Sequence, residues 1–189
     1  MIGDDRDVSR ARAVAGSFVF FLIAPGVVAG LMPWLLTGWE VHAWWPPLRV
    51  LGALMIGAGL VVLLDAFVRF AFEGIGTPAP VAPTERLVVG GAYRYVRNPM
   101  YLAVAALIVG QALVLGQATL FLYAAAFGVA VVAFVHGYEE PVLARRFGAQ
   151  YEGYRRDVPA WWPRLTPWEP GSRKGGTLDA GRGRRPDSQ

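Results

Sequence analysis

The chain has 189 residues, of which 54% are apolar and only 17% charged, against about 25% charged in a typical soluble domain. That much apolar surface exceeds what a single soluble core of this size buries, which argues against an ordinary soluble domain and excludes disorder along the whole chain. With no cysteine and only two histidines, His42 and His136, disulfides, thiolate nucleophiles and cysteine or clustered-histidine metal sites are not expected, and the meaning of the net charge of +4 depends on where the charges lie.

Residues 13–39 contain no Asp, Glu, Lys or Arg. A transmembrane helix needs about 20 mostly apolar residues, so this run predicts a first span over about 14–36. Acidic residues precede it and more apolar runs follow, which argues against a cleaved signal peptide. Its Gly26–Gly30 step predicts close helix packing. A second span is expected over about 47–70, with Arg49 near one end and Asp65 and Arg69 near the other. Four residues apart on a helix, Asp65 and Arg69 are placed for a local ion pair. Gly57 and Gly59 read as packing positions. The following stretch carries Pro78, Pro80 and Pro83 and reads as an extended loop that ends at the turn Gly90-Gly91.

The charge-free run 98–138 is too long for one span and suits two. Gly116-Gln117 interrupts it, which predicts an antiparallel hairpin with arms over about 100–115 and 118–138. Pro141 then kinks the chain or opens a new helix. Leu143, Phe147, Tyr151, Tyr154 and Val158 recur at helical spacing, so an amphipathic helix is expected over about 141–156. Trp161, Trp162 and Trp168, with Arg164, suit a membrane–water interface. Residues 169–189 are rich in Gly, Arg and Ser and read as a disordered basic tail, leaving 1–168 as one transmembrane domain. The expected fold class is an all-α polytopic helix bundle with about four spans.

Lys and Arg concentrate in the N-terminal segment, in the loop after the second span and after the fourth span, and are absent from the other two connections. By the positive-inside rule both termini are expected in the cytoplasm, with the protein in the cell's inner membrane. The basic excess is thus a topology signal, and no nucleic-acid partner and no metal are expected.

A hairpin returns to the side it left, so Arg97-Asn98-Pro99 and Glu139-Glu140 are expected to meet at one cytoplasmic end, together with Tyr93, Tyr95, Tyr101 and Tyr138. Such a mouth can bind a polar cofactor while a lipid reaches it sideways. Adjacent helical acids point about 100° apart, so one can face a pocket while the other pairs with an arginine; alternatively both are a solvated pair at a helix end. Arg97 can clamp a carboxylate or serve as a basic anchor. Asn98-Pro99 reads as a helix cap whose free N–H groups also suit anions. His136 reads as an interfacial polar residue, Arg145 and Arg146 as headgroup contacts, and Arg155 and Arg156 as surface charge.

The run Gly91-Ala-Tyr-Arg-Tyr-Val-Arg-Asn-Pro-Met-Tyr101, then Gly110, then Glu139-Glu140-Pro-Val-Leu-Ala-Arg-Arg-Phe-Gly-Ala-Gln-Tyr151-Glu-Gly-Tyr154, then Val158-Pro159, resembles the isoprenylcysteine carboxyl methyltransferase family, a relative of the membrane phospholipid methyltransferases. The resemblance covers about 85–165. It implies an S-adenosylmethionine-dependent membrane methyltransferase acting on a lipophilic small molecule or a lipid-modified substrate at the bilayer. It implies Tyr93, Arg97, Asn98, Pro99, Tyr101, Glu139 and Glu140 around the cofactor, Arg97 and Glu140 as catalytic, and Arg145, Tyr151 and Tyr154 towards the acceptor. The family usually carries histidine where this chain has Asn98, and often glycine where it has Ala103; asparagine keeps hydrogen bonding but takes up no proton near neutral pH. Two other classes remain in view: an NADPH-dependent membrane reductase of the sterol reductase type, and a non-catalytic membrane scaffold.

Overall fold

The computed structural model describes residues 23–72 and 87–169, and the described residues form helices and irregular connections without strands. Residues 14–22 of the first expected span, most of the proline-rich loop and the tail from 170 lie outside the described residues.

Helix α1 covers Ile23–Thr37. Pro33 has no N–H, so the carbonyl of Ala29 lacks its normal helical donor. A π turn at Val27–Leu31 accompanies it: the N–H of Met32 bonds to Val27 instead of Val28. Two carbonyls are thereby freed in apolar surroundings, where an unpaired one is costly. Side chains supply the donors. Gln111 Nε2 donates to the Ala29 oxygen at 2.7 Å, and the Tyr123 hydroxyl donates to the Val28 oxygen at 2.8 Å. Gln111 and Tyr123 stand on the two arms of the hairpin, so α1 is tied to both. Gln111→Leu is expected to lower stability by about 1 kcal/mol, the scale of hydrogen bonds between membrane helices. Thermal unfolding in detergent would test this, and an unchanged midpoint would refute it.

Helix α2 spans Pro46–Phe72, α3 spans Pro99–Leu115 and α4 spans Ala118–Phe134. Gly116 ends α3 in a left-handed conformation and the chain reverses through Gln117, so the hairpin turns where the sequence places it. Two described helices are long and apolar enough to cross a membrane, Pro46–Arg69 and Ala118–Phe147. Both present large apolar side chains outwards, among them Leu54, Val61, Leu122 and Val129.

Helix α3 is the centre of the bundle. Its Ala103, Val104, Leu107 and Ile108 meet Leu63 and Ile56 of α2, Val28 and Ala29 of α1, and Tyr123 and Phe127 of α4. The α2–α3 contact is close because side chains are missing at the crossing. A Cβ on Gly52 would stand 2.6 Å from the Gly110 oxygen, and one on Gly110 would stand 2.8 Å from the Gly52 oxygen. Seven residues along each helix, Gly59 faces Ala103 in the same antiparallel register. Gly26, Gly30 and Gly57 have open space where a Cβ would go, so the packing expected at these three positions is not found among the described residues.

At one end of the bundle the loop after α1 lies on the hairpin turn, with His42 N–H on the Leu115 oxygen at 2.9 Å. At the other end α2 meets the segment that precedes α3. Asp65 and Arg69 form the expected pair at 3.0 Å. Gly91 rests on this pair with φ 53°, where any side chain would run into both residues. A 3₁₀ turn at Gly91–Arg94 follows.

Beyond α4 comes a second π turn, Val135–Glu139, then α5 over Glu140–Phe147 and α6 over Ala149–Asp157. Pro141 again stands two residues past the π turn, as Pro33 does in α1. The single helix expected over 141–156 is thus broken at Gly148, whose φ of 50° and ψ of −127° lie outside helical space.

Candidate active site

Both clusters that the hairpin was expected to unite lie at the end where α3 begins and α4 finishes. The two acids diverge. Glu140, the first residue of α5, pairs with Arg97: Nη1 stands 2.6 Å from Oε1, and the side chains are only 6% and 11% exposed. Its other oxygen receives Arg155 Nη2 at 3.4 Å and lies 3.2 Å from His136 Nδ1. Glu139 turns towards α3 instead, and the Tyr101 hydroxyl donates to its Oε2 at 3.0 Å. One acid is therefore enclosed by cations, and the other, half-buried, is held by a single neutral hydroxyl.

Arg97 does more than neutralise Glu140. Its Nη1 also donates to the Tyr151 hydroxyl at 3.1 Å, its Nε to the Val158 oxygen at 3.0 Å, and its backbone N–H to the Pro159 oxygen at 2.9 Å. Asn98 is buried and occupies the cap position of α3, but it makes no side-chain cap bond; its Nδ2 donates to the Ala160 oxygen at 3.2 Å. The cap expected from the sequence is thus replaced by a long-range tie. Pro99, fully buried, takes the first helical position, where its missing N–H costs nothing.

The same edge continues outwards. The Arg164 N–H bonds to the Tyr95 oxygen and the Trp168 N–H to the Arg94 oxygen, each at 2.9 Å. Arg94 returns a bond from Nε to the Trp168 oxygen at 2.8 Å. Residues 158–168 are thus an irregular strap fastened along 94–98. Tyr154 lies beneath it, and its hydroxyl donates to the Tyr93 oxygen at 2.7 Å. Burial pushes the Tyr154 hydroxyl well above the ordinary phenol range and acts on Tyr93 in the same direction, so Tyr154 remains a proton donor. Trp168 packs edge-on against the Tyr154 ring and donates Nε1 to Asp157 at 3.3 Å. The interface expected for its indole gave no sign of this packing.

Among the residues singled out in the sequence, the structure unites Arg97, Glu140 and Tyr151 in one network and Tyr101 with Glu139 in another. Tyr93 and Tyr154 form the packed floor under the strap, and Arg145 is exposed on α5. The sequence reading missed His136 as a partner of Glu140, although their i, i+4 spacing carried the signal. It also missed the strap, whose ties run to backbone oxygens and leave no side-chain pattern.

A model of the phospholipid methyltransferase family matches residues 48–150, which include all but the first two residues of α2, the hairpin, Arg97 and both acids. No curated protein and no solved structure matches the chain. The family match covers more than half of the sequence and includes Arg97, Tyr101, Glu139 and Glu140 at the end of the hairpin, so the chain belongs to the phospholipid methyltransferase family.

Proposed function

We propose that this protein is an S-adenosylmethionine-dependent methyltransferase with four membrane spans, both termini in the cytoplasm, and a lipophilic acceptor that enters from the bilayer. The observation that carries the reading is the pair of networks, Tyr101–Glu139 and Arg97–Glu140, placed at one end of an apolar hairpin inside the region matched by a methyltransferase family. S-adenosylmethionine supplies an electrophilic methyl group for direct displacement.

The residues present fit one part of that cofactor better than another. Glu139 is a half-buried carboxylate with a free oxygen beside its Tyr101 bond, which suits a ribose diol or an ammonium group. Arg97 fits the cofactor's carboxylate poorly, because its Nε and Nη1 are already committed to Val158, Glu140 and Tyr151. We therefore assign Glu139 and Tyr101 to cofactor contact, and Arg97 and Glu140 to holding the wall of the site in place. A carboxylate acceptor needs no base. An acceptor that loses a proton on methylation would give it to a Glu139 oxygen, the less compensated of the two acids. The remaining contribution of the chain is to position the acceptor and exclude water.

Titrating the purified protein in detergent with S-adenosylmethionine tests the reading. Glu139→Gln is expected to weaken binding about 10-fold or more, the scale of a lost charge-assisted hydrogen bond. Absence of saturable binding by the folded wild type would overturn the proposal.

A further inference from the structure

The strap carries two features that its packing does not use. Trp162 is 80% exposed and Leu165 is 100% exposed, although the chain on both sides of them is fastened. Ala160, just before them, accepts a bond from Asn98 at the first turn of α3, Arg164, between the two, is bonded to Tyr95, and Trp168, just after them, is bonded to Arg94. The segment is thus held at the level where α3 enters the bundle. Large apolar side chains presented by a tethered, proline-containing loop at that height suit the layer between headgroups and acyl chains, where an indole places its ring in the apolar part and its N–H among polar groups. The neighbouring helices α5 and α6 add exposed cations at Arg145 and Arg156, which favour an anionic lipid surface.

We infer that residues 161–167 are an interfacial anchor that seats Trp162 and Leu165 in the headgroup layer of the bilayer, and so couples membrane contact to the strap that fixes Arg97 and Asn98. The inference rests on the membrane-embedded reading of α2 and α4 and needs neither cofactor nor acceptor.

The absence of cysteine from the chain makes single-cysteine labelling direct. Nitroxide would be attached to Leu165→Cys in the full chain, reconstituted in vesicles of phosphatidylcholine and phosphatidylglycerol, and its collisions with oxygen and with a water-soluble nickel chelate compared. Leu165 touches nothing that the substitution removes. Val129→Cys on the outer face of α4 reports the bilayer interior, and Glu152→Cys on α6 reports the aqueous side. The anchor predicts an oxygen-to-nickel ratio at 165 between those at 129 and 152, and clearly above that at 152. A ratio at 165 equal to that at 152 would overturn it. Exclusion of both reagents from 165 would also overturn it, by showing a protein contact in place of lipid. An aqueous ratio at 129 would instead sink the membrane-embedded reading on which the anchor rests.

Discussion

Arg97→Ala is expected to destabilise the protein by about 3–5 kcal/mol, the cost of leaving a buried ion without its partner. The Glu140 carboxylate would stay enclosed with only the half-exposed Arg155 and His136 beside it. The Val158 oxygen and the Tyr151 hydroxyl would lose their donor as well. The damage should be local before it is global: the strap and α6 loosen first, because Arg97 is where they meet the hairpin. Thermal unfolding in detergent would measure the loss, and limited proteolysis would find new cleavage between about 148 and 168. The double variant Arg97→Met with Glu140→Met removes both charges together and should be less destabilised than Arg97→Ala alone. If the double variant were the worse of the two, the pair would be contributing through something other than mutual neutralisation.

The second large effect belongs to the α2–α3 crossing. Gly110→Ala puts a methyl group 2.7 Å from Ile56 Cγ1 and 2.8 Å from the Gly52 backbone oxygen. The side chain can turn aside, but the backbone of a packed helix yields only if the helices separate. Overpacking of this kind costs about 1–3 kcal/mol, and it offsets the gain in helix propensity of up to about 1 kcal/mol that alanine normally brings over glycine. Gly57→Ala supplies the comparison, since it lies on the same helix as Gly52 with nothing near its Cβ position. It should be neutral or slightly stabilising. Equal unfolding midpoints for the two variants would refute the view that this crossing depends on glycine.

The parts of the fold that were legible in the sequence are those set by local composition. The charge-free run and the Gly116-Gln117 interruption located the hairpin, and the spacing of Asp65 and Arg69 located their pair, because each depends only on residues a few positions apart. What escaped depends on register between distant segments. Gly52 meets Gly110 only because α2 and α3 cross at that point, whereas Gly26 and Gly30 have the favoured motif and nothing among the described residues near their Cβ positions. Asn98 has the chemistry of a cap, but its amide finds Ala160 instead. Trp168 has the chemistry of an interface residue, and its packing on Tyr154 and bond to Asp157 were not legible in it. The candidate site was legible as a meeting of two clusters, and the divergence of the two acids followed from helix geometry. Which acid faces which partner did not, because that depends on how the helix winds between 134 and 140.

The winding has a consequence of its own. A π turn holds one residue more than the α-helical turn it replaces, and each residue advances the helix by about 100°. The turn at Val135–Glu139 therefore works as a phase offset between the apolar helix and everything that follows it. Winding the same residues as uninterrupted α-helix would leave the composition of the site intact and rotate α5 by about that angle. Glu140 would move off Arg97, and the acids would be indexed to different neighbours. The assignment of roles to two identical side chains is thus encoded in a count of residues and not in their chemistry.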